Sequence, residues 1–150
     1  MQKRIFLLLF ILLVNLRCSI PVEKEIKKSE YQTLFRLTLT YIFKSQHLPP
    51  DYYNQPLKII SMQEYPLSKR LIINGKQCEI LPFDTNVMDL LAGTDIFKPV
   101  PVVKISEFKV RGIKANLSIT LRATGHNYIV TIKKANSHTY VVTNLIHRTL

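Results

Sequence analysis

The chain has 150 residues, 47% of them hydrophobic and 21% charged, with two cysteines and a formal net charge of +11. That apolar content excludes an intrinsically disordered chain, and the length suits one domain with a single core. Two cysteines exclude a disulfide framework, so burial of apolar side chains must hold the fold, and the excess of cations favours anionic partners.

Lys3 and Arg4 precede an apolar run from Ile5 to Leu16, broken by Asn15 and ended by Arg17. A helix over that run rises about 18 Å, well short of the roughly 30 Å hydrocarbon core of a bilayer. A basic start, a short apolar middle and a polar exit predict a secretory signal peptide over residues 1–18, cut near Cys18 or Ser19, and one mature domain over 19–150. Cys18, directly after the apolar run, resembles the lipidated cysteine of bacterial lipoproteins, although Arg17 stands where that pattern carries a small residue. The expectation is an exported protein, periplasmic or at the cell surface, with lipid anchoring through Cys18 left open.

Residues 23–44 predict one long helix. Charges crowd its first turns, and Tyr31, Leu34, Phe35, Thr38 and Ile42 recur at three- and four-residue spacing. Leu37, Leu39, Tyr41 and Phe43 widen the apolar arc, so burial has to offset the β-branched Thr38 and Thr40. An extended reading of 34–43 competes, and the length of the pattern favours the helix. Pro49, Pro50 and Pro56 end the element, with Tyr52 and Tyr53 placed to pack over the helix end.

Strands are expected next, at 57–63 and 70–81, where Asn74-Gly75 suits a two-residue hairpin turn. Residues 84–94 read as a short helical turn, capped by Asp84 or Thr85 and ended by Gly93. The last fifty residues read as an antiparallel meander. Ala115, Leu117, Ile119, Leu121 and Ala123 alternate with polar residues and face one side. A Gly125-His126 turn would set Leu121 opposite Val130 and Ile119 opposite Ile132. A three-residue loop in the Ala135–His138 stretch would put Tyr140 and Val142 on the same core face. The inward phase slips between Ile105 and Phe108, which predicts a β-bulge near Ser106–Glu107.

The fold class is therefore α+β: one long N-terminal helix packed against a curved antiparallel β-sheet of four to six strands. That element order resembles the cystatin-like and nuclear-transport-factor-like cone folds and small exported bacterial proteins of similar shape. The resemblance implies either a binding module or an enzyme with its pocket between helix and sheet.

Chemistry is sparse along the chain. His47, His126, His138 and His147 lack the close spacing of a zinc site, and no metal or cofactor is expected. His126 reads as a turn residue, and His147 is expected on the sheet face opposite Tyr140, beside Thr131, Thr143 and Arg122. Asp84, Asp89 and Asp95 read as a cap and solvated acids, Cys78 as a buried inert thiol, and no residue as catalytic. Asn116-Leu117-Ser118 matches an N-glycosylation acceptor, though mid-strand.

The basic residues are unevenly distributed, which reads either as a solvated surface that keeps the protein soluble or as a field that draws polyanions. Residues 19–98 carry ten Lys or Arg against nine acids, whereas residues 99–150 carry eight against Glu107 alone, a net of +7. Lys109, Arg111, Lys114, Arg122 and Lys133 are the candidate ligand-binding residues for an anionic ligand, an envelope protein or an anionic membrane surface. Nucleic acid fits poorly, because a stacking platform is lacking and export removes the chain from it. Self-association through the sheet as a homodimer is a further reading.

Overall fold

The computed structural model describes residues 25–92 and 100–150. The expected signal peptide, Cys18, Gly93 and Asp95 lie outside the described residues.

A single 3-10 turn, Lys28–Glu30, leads into helix α1, Tyr31–Ser45. Glu25 to Lys27 are not helical, so the charged residues expected in the first helical turns precede the helix instead. The reason is local. The Glu30 carboxylate accepts the Lys27 backbone N–H at 2.7 Å, and the Glu30 N–H donates to the Lys27 carbonyl at 3.0 Å, a turn that starts the helix late. Along α1 the predicted face is buried, with Leu34, Phe35, Leu39 and Ile42 wholly enclosed. Thr38 is equally buried and donates its hydroxyl to the Leu34 carbonyl at 2.8 Å, so its polar atom is satisfied inside the core.

The helix ends against a second, short helix α2, Asp51–Asn54, which forms between the prolines that end α1. Tyr53 stands edge-on to Phe43, and its hydroxyl donates to the Phe43 and Gln46 carbonyls at 3.1 and 3.3 Å. It thereby satisfies acceptors that the last turn of α1 leaves open.

Strands β1 (Lys58–Ile60), β2 (Ile72–Ile73), β3 (Lys76–Gln77) and β4 (Glu79–Leu81) follow. Strands β2 and β3 form the expected hairpin, and Asn74 and Gly75 both take positive φ, 51° and 75°, as a type I′ turn requires. Helix α3, Val87–Ala92, starts from Asn86, whose side-chain oxygen accepts the Met88 N–H at 3.1 Å. Asn86 thus takes the capping role expected of Asp84 or Thr85. The long strands are β5 (Val102–Arg111), β6 (Lys114–Leu121), β7 (His126–Lys134) and β8 (Tyr140–Thr149).

Six strands make the main sheet, in the order β4-β1-β5-β6-β7-β8. Strands β5 to β8 form the predicted antiparallel meander, but β1 runs parallel to both β4 and β5, so the sheet is mixed rather than antiparallel. Parallel neighbours need crossover connections, which the β2–β3 hairpin and the α3 segment supply. The strands carry two bulges, at Ser106 as predicted and at Thr143, each a device that bends a strand and increases its twist.

The β6–β7 register differs from expectation by four residues. Leu121 faces His126, Ile119 faces Tyr128, Leu117 faces Val130 and Ala115 faces Ile132, because the loop is Arg122–Gly125 rather than Gly125-His126. Thr124 donates its N–H back to Leu121, and Gly125 closes the loop at φ 67°. A slip of four is even, so every side chain keeps its predicted face. Leu117, Ile119, Leu121, Val130 and Ile132 are all fully buried against α1 in one apolar core. Tyr31 joins helix to sheet, its ring 4.8 Å from Phe108 and 5.2 Å from Tyr65. Cys78 is buried as expected, and burial pushes its thiol up.

Candidate functional site

The middle of the inner sheet face is committed to the core, so most of the charged and polar side chains stand on the outer face. Strands β5 and β6 are joined at Gly112-Ile113, with Gly112 at φ 56°. This turn sets Arg111 opposite Lys114, and the β6–β7 ladder sets Lys114 opposite Lys133. Their neighbours Ala115 and Ile132 point into the core, so alternation turns all three cations outward. Three basic side chains thus stand in one cross-strand row, where opposed residues on adjacent strands lie roughly 5 Å apart at Cβ.

Lys109 occupies the next row, opposite Asn116, and forms an ion pair with Glu107. Beyond it, Thr131 faces Asn144 and Ile129 faces Ile146, the latter 40% exposed. Asn127 donates to the Ser118 and Thr120 hydroxyls at 3.1 and 2.9 Å, and Ser106 donates to the Ser118 hydroxyl at 3.0 Å. The outer face is therefore a polar lattice with an apolar pair at its middle, a row of three cations at the hairpin end, and Lys104 and Arg148 towards the other end.

Four of the five candidate residues, Lys109, Arg111, Lys114 and Lys133, are brought together. Arg122 is not. It sits in the β6–β7 loop, its N–H bonded to the Val102 carbonyl at 2.9 Å, and with Lys104 it lines an open cleft of about 310 Å³ against α3. Asp84 and Asp89 are exposed on that segment.

A buried ionic group, which composition alone did not single out, lies on the inner face. Lys134 follows Val130 and Ile132 in the inward phase and is 4% exposed. Its Nζ donates to Glu30 Oε1 at 2.6 Å, and the Tyr140 hydroxyl donates to the same oxygen at 2.6 Å. Burial alone would push the Glu30 carboxyl up, but the hydrogen bonds from Lys134, Tyr140 and the Lys27 N–H outweigh it and hold it down at about 2. Burial beside that carboxylate pushes the Tyr140 phenol up to about 12. Every oxygen and cation in the group has a protein partner, which makes it a clamp between α1 and the sheet. The inward phase of Lys134 was the available signal.

Two of the four histidines, His126 and His147, depart from expectation. His47 is exposed beyond α1, and His138 is exposed in the β7–β8 loop. His126 opens β7 rather than forming a turn, and His147 faces the inner side opposite Tyr128. The bulge at Thr143 reverses the phase of β8, so His147 shares a face with Tyr140 instead of opposing it.

No family model, curated protein or solved structure matches this chain, so the residues themselves carry the functional argument.

Proposed function

We propose that the protein is a non-enzymatic binding module whose outer sheet face docks on an anionic membrane surface after export. The observation that carries this is the row Arg111, Lys114 and Lys133. Like charges directly opposed on neighbouring strands cost the fold stability, and a polyanion laid across them converts that repulsion into attraction. Ile146, exposed on the same face opposite the half-buried Ile129, adds aliphatic area suited to the headgroup boundary.

The cone-fold resemblance is part of this proposal, supported by a helix packed on one face of a six-stranded sheet. Of its two implications, binding is favoured over an enzyme with an internal pocket. Phe35, Leu39, Leu121 and Val130 occupy the space between helix and sheet where such a pocket would lie.

The test is partition onto vesicles holding about one-third phosphatidylglycerol, compared with purely zwitterionic vesicles, at about 50 and 200 mM salt. The proposal expects retention on the anionic vesicles that weakens steeply with salt. Equal partition onto both vesicle types, or indifference to salt, contradicts it.

A further inference from the structure

We propose that His126 and His147 form a bidentate site for a divalent late transition-metal ion, Cu²⁺ foremost. Position along the chain hides this pair, because 21 residues separate the two histidines. The β7–β8 ladder brings them together: Tyr128 stands opposite His147, and His126, two residues before Tyr128 on the same face, lies diagonal to it. His147 Nε2 and His126 Nδ1 are 3.0 Å apart.

That separation has a geometric consequence. Imidazole nitrogens bind these metals at about 2.0–2.1 Å, so two of them 3.0 Å apart subtend an angle of about 91–97° at a shared ion. This is the angle between adjacent positions of a tetragonal site, the preference of Cu²⁺ and Ni²⁺, and Cu²⁺ heads the affinity order for nitrogen donors. The rings are also held in place. The His147 ring stacks on Tyr128 at 4.8 Å and 15°, and the His126 ring meets the His147 ring edge-on at 4.7 Å.

In a hydrogen bond between two neutral imidazoles one nitrogen donates and the other accepts, the roles being set by the tautomers. Metal binding requires the donated proton to leave the position between them: the donor imidazole shifts to its other neutral tautomer, its N–H moving to the far ring nitrogen, and both near nitrogens then offer lone pairs. No bond to carbon changes and no electron is transferred. Among the described residues no third His, Cys, Asp or Glu joins the pair, so water completes the coordination. His147 is exposed and His126 half-buried, which leaves the ion a direct path from solvent.

The site is independent of the basic row. It lies on the other side of the sheet and at the opposite end of β7, roughly 23 Å from Lys133 by strand rise.

Titration of the full chain with Cu²⁺, followed by electron paramagnetic resonance, tests the proposal. The expected result is one strong site with two-nitrogen coupling. His126→Ala and His147→Ala should each weaken it at least about tenfold, since a second ligand held in place acts at high effective concentration. The paired variant His47→Ala/His138→Ala should bind as the parent does. In the unaltered protein, nuclear magnetic resonance should show paramagnetic broadening first at the His126 and His147 ring protons, a readout that needs no substitution. Broadening that begins at His47 or His138, or affinity unchanged by both single variants, overturns the proposal.

Discussion

Lys134 and Glu30 stand 104 residues apart in sequence, yet their charged atoms meet at 2.6 Å inside the protein. The pair joins the last residue of β7 to the turn that starts α1, with Tyr140 closing the group. Removing Glu30 leaves the Lys134 ammonium, 4% exposed, with the Glu25 carbonyl at 3.5 Å and the Tyr140 ring but no counter-charge, which costs more than exchanging both partners for apolar groups. Glu30→Gln should therefore destabilise the protein by about 3 kcal/mol in urea unfolding. The double variant Glu30→Leu/Lys134→Met should recover most of that loss. A double variant no more stable than the single one would show that packing around the pair, not its charge, is what matters.

The same pair sets an acid limit. Glu30 is held at about 2, against an ordinary value of 4.5, so the folded state binds its proton less readily than the unfolded chain does. Its contribution is fully present above the ordinary carboxylate range and is lost as pH falls from about 4.5 towards 2. Unfolding free energies measured across that window should fall more steeply for the parent than for Glu30→Gln. Parallel pH profiles would contradict the assignment.

The division of β6 into a core side and a solvent side predicts unequal substitutions. Leu117 is fully buried whereas its neighbour Asn116 is exposed. Leu117→Ala should cost about 3 kcal/mol through lost burial and the cavity left behind. Asn116→Ala should change stability by less than about 0.5 kcal/mol. Chemical unfolding of the two variants measures both.

Gly75 tests the hairpin turn. Its φ is 75°, and an added Cβ would meet no atom within 4 Å, so any cost of Gly75→Ala comes from backbone conformation rather than from a clash. A loss of about 1 kcal/mol is expected by thermal unfolding.

Much of the fold is legible in the sequence. The buried face of α1 follows from the spacing of Tyr31, Leu34, Phe35, Thr38 and Ile42, and the Ser106 bulge from the phase slip between Ile105 and Phe108. Alternation assigns faces on β6 and β7 but does not fix their register, since slips by even numbers leave burial unchanged. That is why the offset of four at Arg122–Gly125 escaped. The parallel partners of β1 escaped as well, because strands of three residues carry too little pattern to show direction. The Thr143 bulge misplaced His147, because β8 is half-exposed on both faces and its phase change has no sharp apolar edge. Of the candidate site, composition located the basic strands, whereas the Gly112-Ile113 turn and the β6–β7 register together show that Arg111, Lys114 and Lys133 align while Arg122 does not.

Binding through a defined row, rather than through net charge, is the central claim, and a comparison of two charge-matched variants tests it most directly. Arg111→Gln/Lys114→Gln/Lys133→Gln removes the row, whereas Lys104→Gln/Arg122→Gln/Arg148→Gln removes equal charge from the far end of the same sheet. With roughly 1 kcal/mol per basic residue at an anionic membrane, the first variant should lose about 100-fold in vesicle affinity and the second far less. Equal losses in the two variants, or none in the first, would contradict the account.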